Sequence, residues 1–528
     1  MSPNQRLIVA VLLSVIFFVG YTAIFPPAEQ DVAKENTKTE AKQDKQQTVS
    51  KTAQAVVGHE IAAEEKVSHS TSSNIVTVKN DKFILKIDTL GRIASKELLE
   101  DKFRNADNLH AQVIPATGIK PLYVRFADDA INNEAIKTPY SADVSEVTVK
   151  EKPVTVTLTQ KLPELTVTKV LTFYADGHYD AKISTSKDVR HYVYLGDRPQ
   201  VSKKLMAVAG VLIYTGDDVA HIIEDGDAEG RKVFQDVKLA SSFDQYTAII
   251  LYGFKKDTNI IVERGKDDNP VVYFNATQNE SIHGYIGPKE HKVLHAIDPV
   301  LTNAIEYGWF TFAAKPLFAV LSWLHGIFGN WGWAIIALTF IIRAILYPLT
   351  YKGMVSMQKM KILAPKLKEL KEKYKKDPQK LNAMTMEMYK KNGANPLGGC
   401  LPMVLQIPVF FALYRTLLNA VELQGAPWLL WINDLSRMDP YYVLPILMGA
   451  SMFIQQRMTP NNFTDPMQEK VFKYLPVIFT FFFVTFPSGL VLYWFTNNLF
   501  SIAQQYMVNQ QFSNAKDAQV AIEKKSEQ

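Results

Sequence analysis

Residues Trp331–Tyr351 read WGWAIIALTFIIRAILYPLTY. Apart from Arg343 this run holds no charge, and its 21 residues at about 1.5 Å each suffice to cross a hydrocarbon core of about 30 Å. Four further apolar runs follow. We read spans at 331–351, 395–421, 441–457, 471–486 and 490–508. They are separated by a Lys-rich stretch at 352–394, an acidic loop at 422–440, a short loop at 458–470 and a Pro-Ser-Gly turn at 487–489, with a polar tail at 509–528. The stretch 352–391 carries 12 Lys against Glu369, Glu372, Asp377 and Glu387. The loop 422–440 carries Glu422, Asp434 and Asp439 against Arg437 alone. Basic loops stay in the cytoplasm, so the first of these five spans runs inward and the tail ends inside.

Working back from this region, the chain changes character. Of its 528 residues, 331–528 hold 21 Lys+Arg against 12 Asp+Glu, leaving 37 against 41 before them, so the net charge of +5 hides a basic apolar half and a slightly acidic polar one. That split points to a membrane protein with basic cytoplasmic loops ahead of a DNA binder. Cys400 is the only cysteine. A disulfide framework and a multi-thiolate zinc site are therefore excluded, and no metal is expected. No Walker or GxGxxG pattern occurs, so no nucleotide or other cofactor is implied, and we expect no enzyme.

The N-terminal segment 1–27 pairs Arg6 with an apolar run to Phe25. No small-x-small cleavage signal follows it, so it reads as an uncleaved signal anchor with its N-terminus inside. Residues 28–73, rich in Lys, Gln, Glu, Thr, Ala and Ser, read as a flexible linker. From 74 to 300 the pattern turns to period two. Val154, Val156 and Leu158 alternate with Thr155, Thr157 and Thr159. Phe83–Ile87, Leu122–Phe126, Leu165–Tyr174, Gly210–Tyr214, Tyr246–Tyr252, Asn259–Glu263 and Val271–Asn275 are further strand candidates. Many short strands with turn signals between them predict a large β-sandwich, lying outside the cytoplasmic membrane because it follows an N-in anchor. Residues 301–330 are too apolar for a linker. A span there would push the Lys-rich stretch outward, so we expect an amphipathic helix lying along the outer interface. The count is six spans with both ends inside.

Arg343 is the sharpest residue. A charge in a span costs at least about 2.5–3.5 kcal/mol. One reading is a guanidinium that snorkels to the headgroups. The other starts from spacing: Thr339, Arg343 and Tyr347 fall at i, i+4 and i+8, on one helix face. Gln406 lies at similar depth in another span. In the last span Tyr493, Asn497 and Ser501 share a face, with Gln504 and Gln505 beyond. Each amide by itself can be an interhelical hydrogen bond. As a set they suggest a hydrophilic groove open to the cytoplasm. The spans hold no acid to bind a proton or cation, which argues against an ion-coupled transporter. In 352–394, Met354, Met357 and Met360 lead one amphipathic helix, and Met384 and Met388 line a second after Asp377-Pro378. The pair is either a hairpin packed on itself or a Met-rich surface for varied apolar partners. Its Lys ring suits anionic phospholipids or ribosomal RNA.

Several motifs resemble the YidC/Oxa family of membrane protein insertases. They are Thr339-Phe340-Ile341-Ile342-Arg343 with Tyr347-Pro348-Leu349-Thr350, then Asn395-Pro396-Leu397-Gly398-Gly399-Cys400. Gln406-Ile407-Pro408-Val409-Phe410 and Asp439-Pro440-Tyr441-Tyr442 follow. Asp465-Pro466-Met467-Gln468 and Phe486-Pro487-Ser488-Gly489-Leu490-Val491-Leu492-Tyr493 complete the set. An anchor with a large outer β-domain is similar to the Gram-negative form. The resemblance implies a bacterial inner-membrane protein with a five-span insertase core and a periplasmic, supersandwich-like β-domain. It implies a groove around Arg343 and an apolar slide at Val404, Ile407, Phe410, Phe482 and Tyr493. The partners it implies are nascent membrane proteins, the Sec translocon with its accessory proteins, and transiently the ribosome or signal recognition particle pathway. The chain departs from the family pattern at Trp494 and at Arg415. The rival readings are a polytopic transporter with a periplasmic binding domain and a membrane-anchored glycan-binding β-domain.

Overall fold

The computed structural model describes residues 73–104, 109–202, 208–307, 311–375, 377–394, 401–459 and 466–526. The expected anchor (1–27), the linker up to residue 72, the Asn395–Cys400 motif and Asp465 lie outside the described residues. So do the side chains of Leu401–Leu405, and with them Val404.

Alternation builds the N-terminal part. In the strand Thr166–Phe173, Val167, Leu171 and Phe173 point inward while Thr166, Thr168 and Thr172 are half-buried on the other face. This strand lies in a nine-stranded antiparallel sheet. Its order is Ala220–Glu224, Gly210–Thr215, Val237–Phe243, Thr247–Tyr252, Asn279–Pro288, His178–Thr185, Thr166–Phe173, Val154–Lys161 and Ser141–Ala142. A five-stranded sheet runs Arg231–Phe234, Ile260–Arg264, Pro270–Ala276, His191–Tyr194, Val124–Phe126. A four-stranded sheet runs Ile93–Leu98, Phe83–Asp88, Asn74–Lys79, Glu146–Thr148, the last pair parallel. One apolar core joins residues of all three sheets. Every expected strand is present. The strands Val237–Phe243 and His178–Thr185 escaped the sequence reading because buried Ser241 and Ser242, and polar His178, Asp180 and Lys182, blur their alternation. Two short helices, α1 (Asp129–Lys137) and α2 (His291–Ile297), complete the domain.

The strand Thr247–Tyr252 is buried on both faces. Ile249 and Leu251 face the main core, while Ala248, Ile250 and Tyr252 face a second cluster with Leu294, Leu301, Ala304, Ile305 and Tyr307. This explains part of the apolar excess in 301–330. The stretch is not one interfacial helix. Its first residues form a 3-10 turn, Pro299–Ala304, that covers the back of the sheet, and only α3 (Thr311–Phe328) is an α-helix. In α3, Ala314, Phe318, Leu321 and Leu324 are buried, whereas Phe312, Trp323 and Ile327 are exposed. Among the described residues, α3 and the helix after it are long and apolar enough to cross a membrane.

That next helix, α4, runs from Trp331 to Lys373, 43 residues. The sequence reading stopped a span at Tyr351 and began a separate helix near Met354. The structure continues one helix through Pro348 and Pro365, about 65 Å at 1.5 Å per residue. Gly353 is the weak point of the junction, but it is buried, and its cost of about 1 kcal/mol does not end a helix packed along its side. Asp377 caps α5 (Pro378–Lys391), its carboxylate accepting from the Lys380 N–H, and α5 folds back on α4. The bundle is completed by α6 (Leu401–Asn419), α7 (Val443–Met458), α8 (Pro466–Phe483) and α9 (Ser488–Ser526). α9 packs along both α4 and α7, α8 on α7, and α3 on α4 and α6. Gly449 lets α8 approach: a Cβ there would lie 1.8 Å from Thr480 Oγ1.

Candidate functional site

Toward the β-domain the interior of the bundle is filled mainly by apolar side chains. Leu338, Leu417, Met448, Phe483, Leu490 and Val491 are among the residues that fill it. Further along α4 and α9 the filling becomes polar, and the change begins at Arg343. Its Nε donates to Asn497 Oδ1 at 2.7 Å, and its Nη2 donates to the Asn497 carbonyl at 3.2 Å and to Ser501 Oγ at 2.5 Å. Asn497 and Ser501 are buried. No carboxylate forms an ion pair with Arg343 among the described residues. The guanidinium is thus held by neutral oxygens, without an ionic partner among the described residues. Snorkelling alone does not describe it, because two elements of the bundle fix its position.

Below Arg343 the two helices continue as a polar seam. Gln504 donates to Thr350 Oγ1 at 2.8 Å, Tyr351 Oη to Gln511 Oε1 at 2.8 Å, and Gln358 to Asn509 Oδ1. Arg343–Asn497 and Thr350–Gln504 share the same sequence offset of 154 residues. A step of seven residues on one helix therefore matches seven on the other, the register of a parallel pair. Asn498 reaches across to α7, donating to Ser451 Oγ at 3.0 Å, and Asn509 donates to the Met458 carbonyl at 3.3 Å. Gln358, Asn498 and Asn509 escaped the sequence reading. For Asn498 and Asn509 the signal was the density of amides along α9; Gln358 stands alone on α4 among Met and Lys and gave none.

The structure brings Arg343, Asn497 and Ser501 together as one cluster. Gln406 joins a neighbouring one, its Nε2 donating to Tyr493 Oη at 2.5 Å. Tyr493 is buried, so it serves as an internal partner for Gln406 and not as an open slide surface. Its hydroxyl must find a partner away from water, and Gln406 supplies it. Thr339 lies on the expected face but is turned into the apolar part, its hydroxyl donating to the Ile335 carbonyl at 2.7 Å. Tyr347 is exposed and stacks on Tyr351 at 5.8 Å. Ile407 and Phe482 present apolar surface, 45% and 47% exposed, and half-buried Phe410 meets Trp494 edge-on at 4.7 Å. Met354 is buried, while Met357 and Met360 of α4 and Met384 and Met388 of α5 are half-buried.

At the β-domain end, Arg415 is explained by a partner from another element. It lies 3.8 Å from Glu306 of the segment entering α3, and Asn419 donates to the Glu306 carbonyl at 2.7 Å. Gln245, in the turn between the strands Val237–Phe243 and Thr247–Tyr252, donates to the Leu418 carbonyl at 2.7 Å. Asp439 is buried. It accepts from Trp431 Nε1 at 2.9 Å, from the Tyr441 N–H at 3.0 Å and from the Leu444 N–H at 2.7 Å, which tethers the loop and satisfies one free N–H in the first turn of α7. The β-domain has a cleft of about 650 Å³ lined by Tyr174, His178, Asp180, Tyr252, His283 and Asp298 among others. Its polar groups already bond to one another, His283 to Asp180 at 2.5 Å and Tyr174 to Asp180 at 2.8 Å.

Comparison with known proteins agrees along the whole length. The 60Kd inner membrane protein family matches residues 323–516, and the YidC periplasmic domain family matches residues 241–320. The membrane protein insertase YidC of Wolinella succinogenes is 47% identical over 99% of this chain and 97% of that protein. Those of Campylobacter jejuni and Helicobacter pylori strain 26695 are each 44% identical, over 97% and 98% of this chain and 96% and 97% of theirs. Among solved structures, an active YidC insertase with its first transmembrane domain resolved is 20% identical and covers 83% of this chain and 95% of its own, at a TM-score of 0.37. YidC from Thermotoga maritima gives 18% identity and 0.31, covering 82% and 99%. Near-full-length identity of this degree decides the assignment: the chain belongs to the YidC family of membrane protein insertases, inner-membrane proteins with a periplasmic domain.

Proposed function

We propose that the chain inserts nascent membrane proteins into the inner membrane and chaperones their assembly, alone or with the Sec translocon and its accessory proteins. The observation that carries this reading is the Arg343–Asn497–Ser501 cluster. It is a charged, acid-free polar site one third of the way along a 43-residue helix, with exposed apolar residues Ile407 and Phe482 on neighbouring elements. An arriving chain has a polar flank and an apolar span. The polar seam of α4 and α9 lowers the cost of carrying the flank, because groups there meet amides and a guanidinium in place of hydrocarbon. The apolar span meanwhile slides on Ile407, Phe410 and Phe482 toward lipid, and its partitioning drives the step. The process makes and breaks no covalent bond. The Lys-rich faces of α4 and α5 suit anionic headgroups and, transiently, the ribosome or signal recognition particle pathway.

We place both termini in the cytoplasm and α3 along the periplasmic interface. A cysteine at Leu430, 76% exposed in the loop after α6, then reacts with an impermeant reagent in intact spheroplasts, and one at Lys371 does not. The reverse pattern discards this topology. The function is tested by depleting the protein and surveying which membrane proteins fail to insert; an unchanged inner-membrane proteome would reject it.

A further inference from the structure

The seam between the β-domain and the membrane core contains two glutamates in contrasting settings. Glu306 is compensated: Arg415 lies beside it and Asn419 holds its backbone. Glu422, in the loop after α6, is not. Its Oε1 accepts the backbone N–H of His291 at 2.9 Å, at the start of α2. The side chains facing it come from three elements. Glu290 precedes His291. Lys102 comes from the turn after the strand Ile93–Leu98, and Tyr307 from the segment leading to α3. The one cation among them is already committed, since Lys102 Nζ lies 2.5 Å from Glu290 and 3.7 Å from Glu100. Lys102 is also boxed in by the loop itself, because a Cβ on Gly425 would come within 3.2 Å of its Cβ. Among the described residues, ionised Glu422 therefore faces Glu290 across the seam without an uncommitted cation.

We propose that Glu422 is a proton-controlled latch, which holds the β-domain on the membrane core when its carboxyl is neutral and loosens that seam when it ionises. Burial first, and then Glu290, push the Glu422 carboxyl up from 4.5 to about 7, while the His291 N–H and Lys102 oppose the rise. The direction of the effect follows from linkage. The docked state holds a proton that the undocked state releases above about 4.5, so docking is strongest below that value and weakens as pH rises through about 7. The range between the two values corresponds to a change of up to about two and a half orders of magnitude in the docking equilibrium. The periplasmic side is the one that follows external pH, so the latch would couple the seam to the medium.

The test uses the full chain in lipid nanodiscs, with Cys400 replaced by Ser and spin labels on cysteines at Val233 and Leu430, both exposed. The label–label distance distribution is narrow at pH 5 and broadens by pH 8. Glu422→Gln, neutral at every pH, keeps it narrow throughout. Glu290→Gln leaves Glu422 in place but removes the opposing charge, and moves the midpoint to lower pH. A wild-type distribution unchanged from pH 5 to 8 overturns the proposal. So does a pH response that survives in Glu422→Gln, or a midpoint that Glu290→Gln leaves unmoved. None of these readouts depends on insertion activity.

Discussion

Replacing Arg343 separates charge from packing. Arg343→Ala removes three donations and leaves Asn497 Oδ1 and Ser501 Oγ short of a donor in a buried setting. Each such loss costs about 1–3 kcal/mol on the scale of soluble proteins and about 0.6 kcal/mol per bond in membrane bundles. Deleting a charge from a span recovers about 2.5–3.5 kcal/mol. The terms oppose each other, so the variant accumulates near the wild-type level. Its activity is another matter. At an effective dielectric of about 20, an acidic residue about 8 Å from the guanidinium gains about 2 kcal/mol, or about thirtyfold in occupancy of the site. Arg343→Ala therefore impairs reporters with acidic translocated tails, and Arg343→Glu impairs them more. Arg343→Lys keeps most of the activity although it lacks the planar fork that bonds Asn497 and Ser501 together. Arg343→Gln distinguishes charge from polarity: if polarity suffices, Gln performs as well as Lys. The assay is protease protection of paired reporters that differ only in tail charge. Equal insertion of acidic and neutral reporters by Arg343→Ala, at matched protein level, would refute the electrostatic role and leave hydration alone.

Three other outcomes are expected. Gly449→Ala drives a methyl into Thr480 Oγ1 and separates α7 from α8, lowering the thermal midpoint in detergent, and Thr480→Ala in the same chain restores most of the loss. A double-mutant cycle of Thr350→Ala and Gln504→Ala yields a coupling near 0.6 kcal/mol, the scale of an interhelical amide bond, measured by unfolding in mixed micelles; zero coupling means that the contact is not formed. Burial lowers Lys96 and Lys169 to about 7, against 10.5 in an unfolded chain. Between those values the unfolded state binds more protons, so β-domain stability rises with pH from about 7 toward 10. Thermal unfolding of the full chain across that range should show a rising midpoint, and Lys169→Met should flatten the slope.

Much of this protein was legible in one dimension. Period-two alternation reports which side of a strand meets apolar atoms, a local property, and it located strands such as Val154–Lys161 and Thr166–Phe173 within a residue or two. Apolar run length sets what a segment can cross, and Lys distribution sets which side its loops prefer, so the division into a β-domain and a helical bundle needed no coordinates. The spacing of Tyr493, Asn497 and Ser501 on one face was equally visible. Their partners were not. That Arg343 is met by Asn497 and Ser501, that Tyr493 turns inward to Gln406, and that Thr350 pairs with Gln504 depend on how α9 lies against its neighbours. That register is set by side-chain volumes along helices distant from α9 in the sequence. The same holds for Arg415, an anomalous charge until Glu306 arrives from the end of the β-domain, and for Tyr307, whose apolar neighbourhood exists only because the chain folds back under the sheet. Sequence patterns record which groups must leave water; only the packed chain decides which group each one leaves it with.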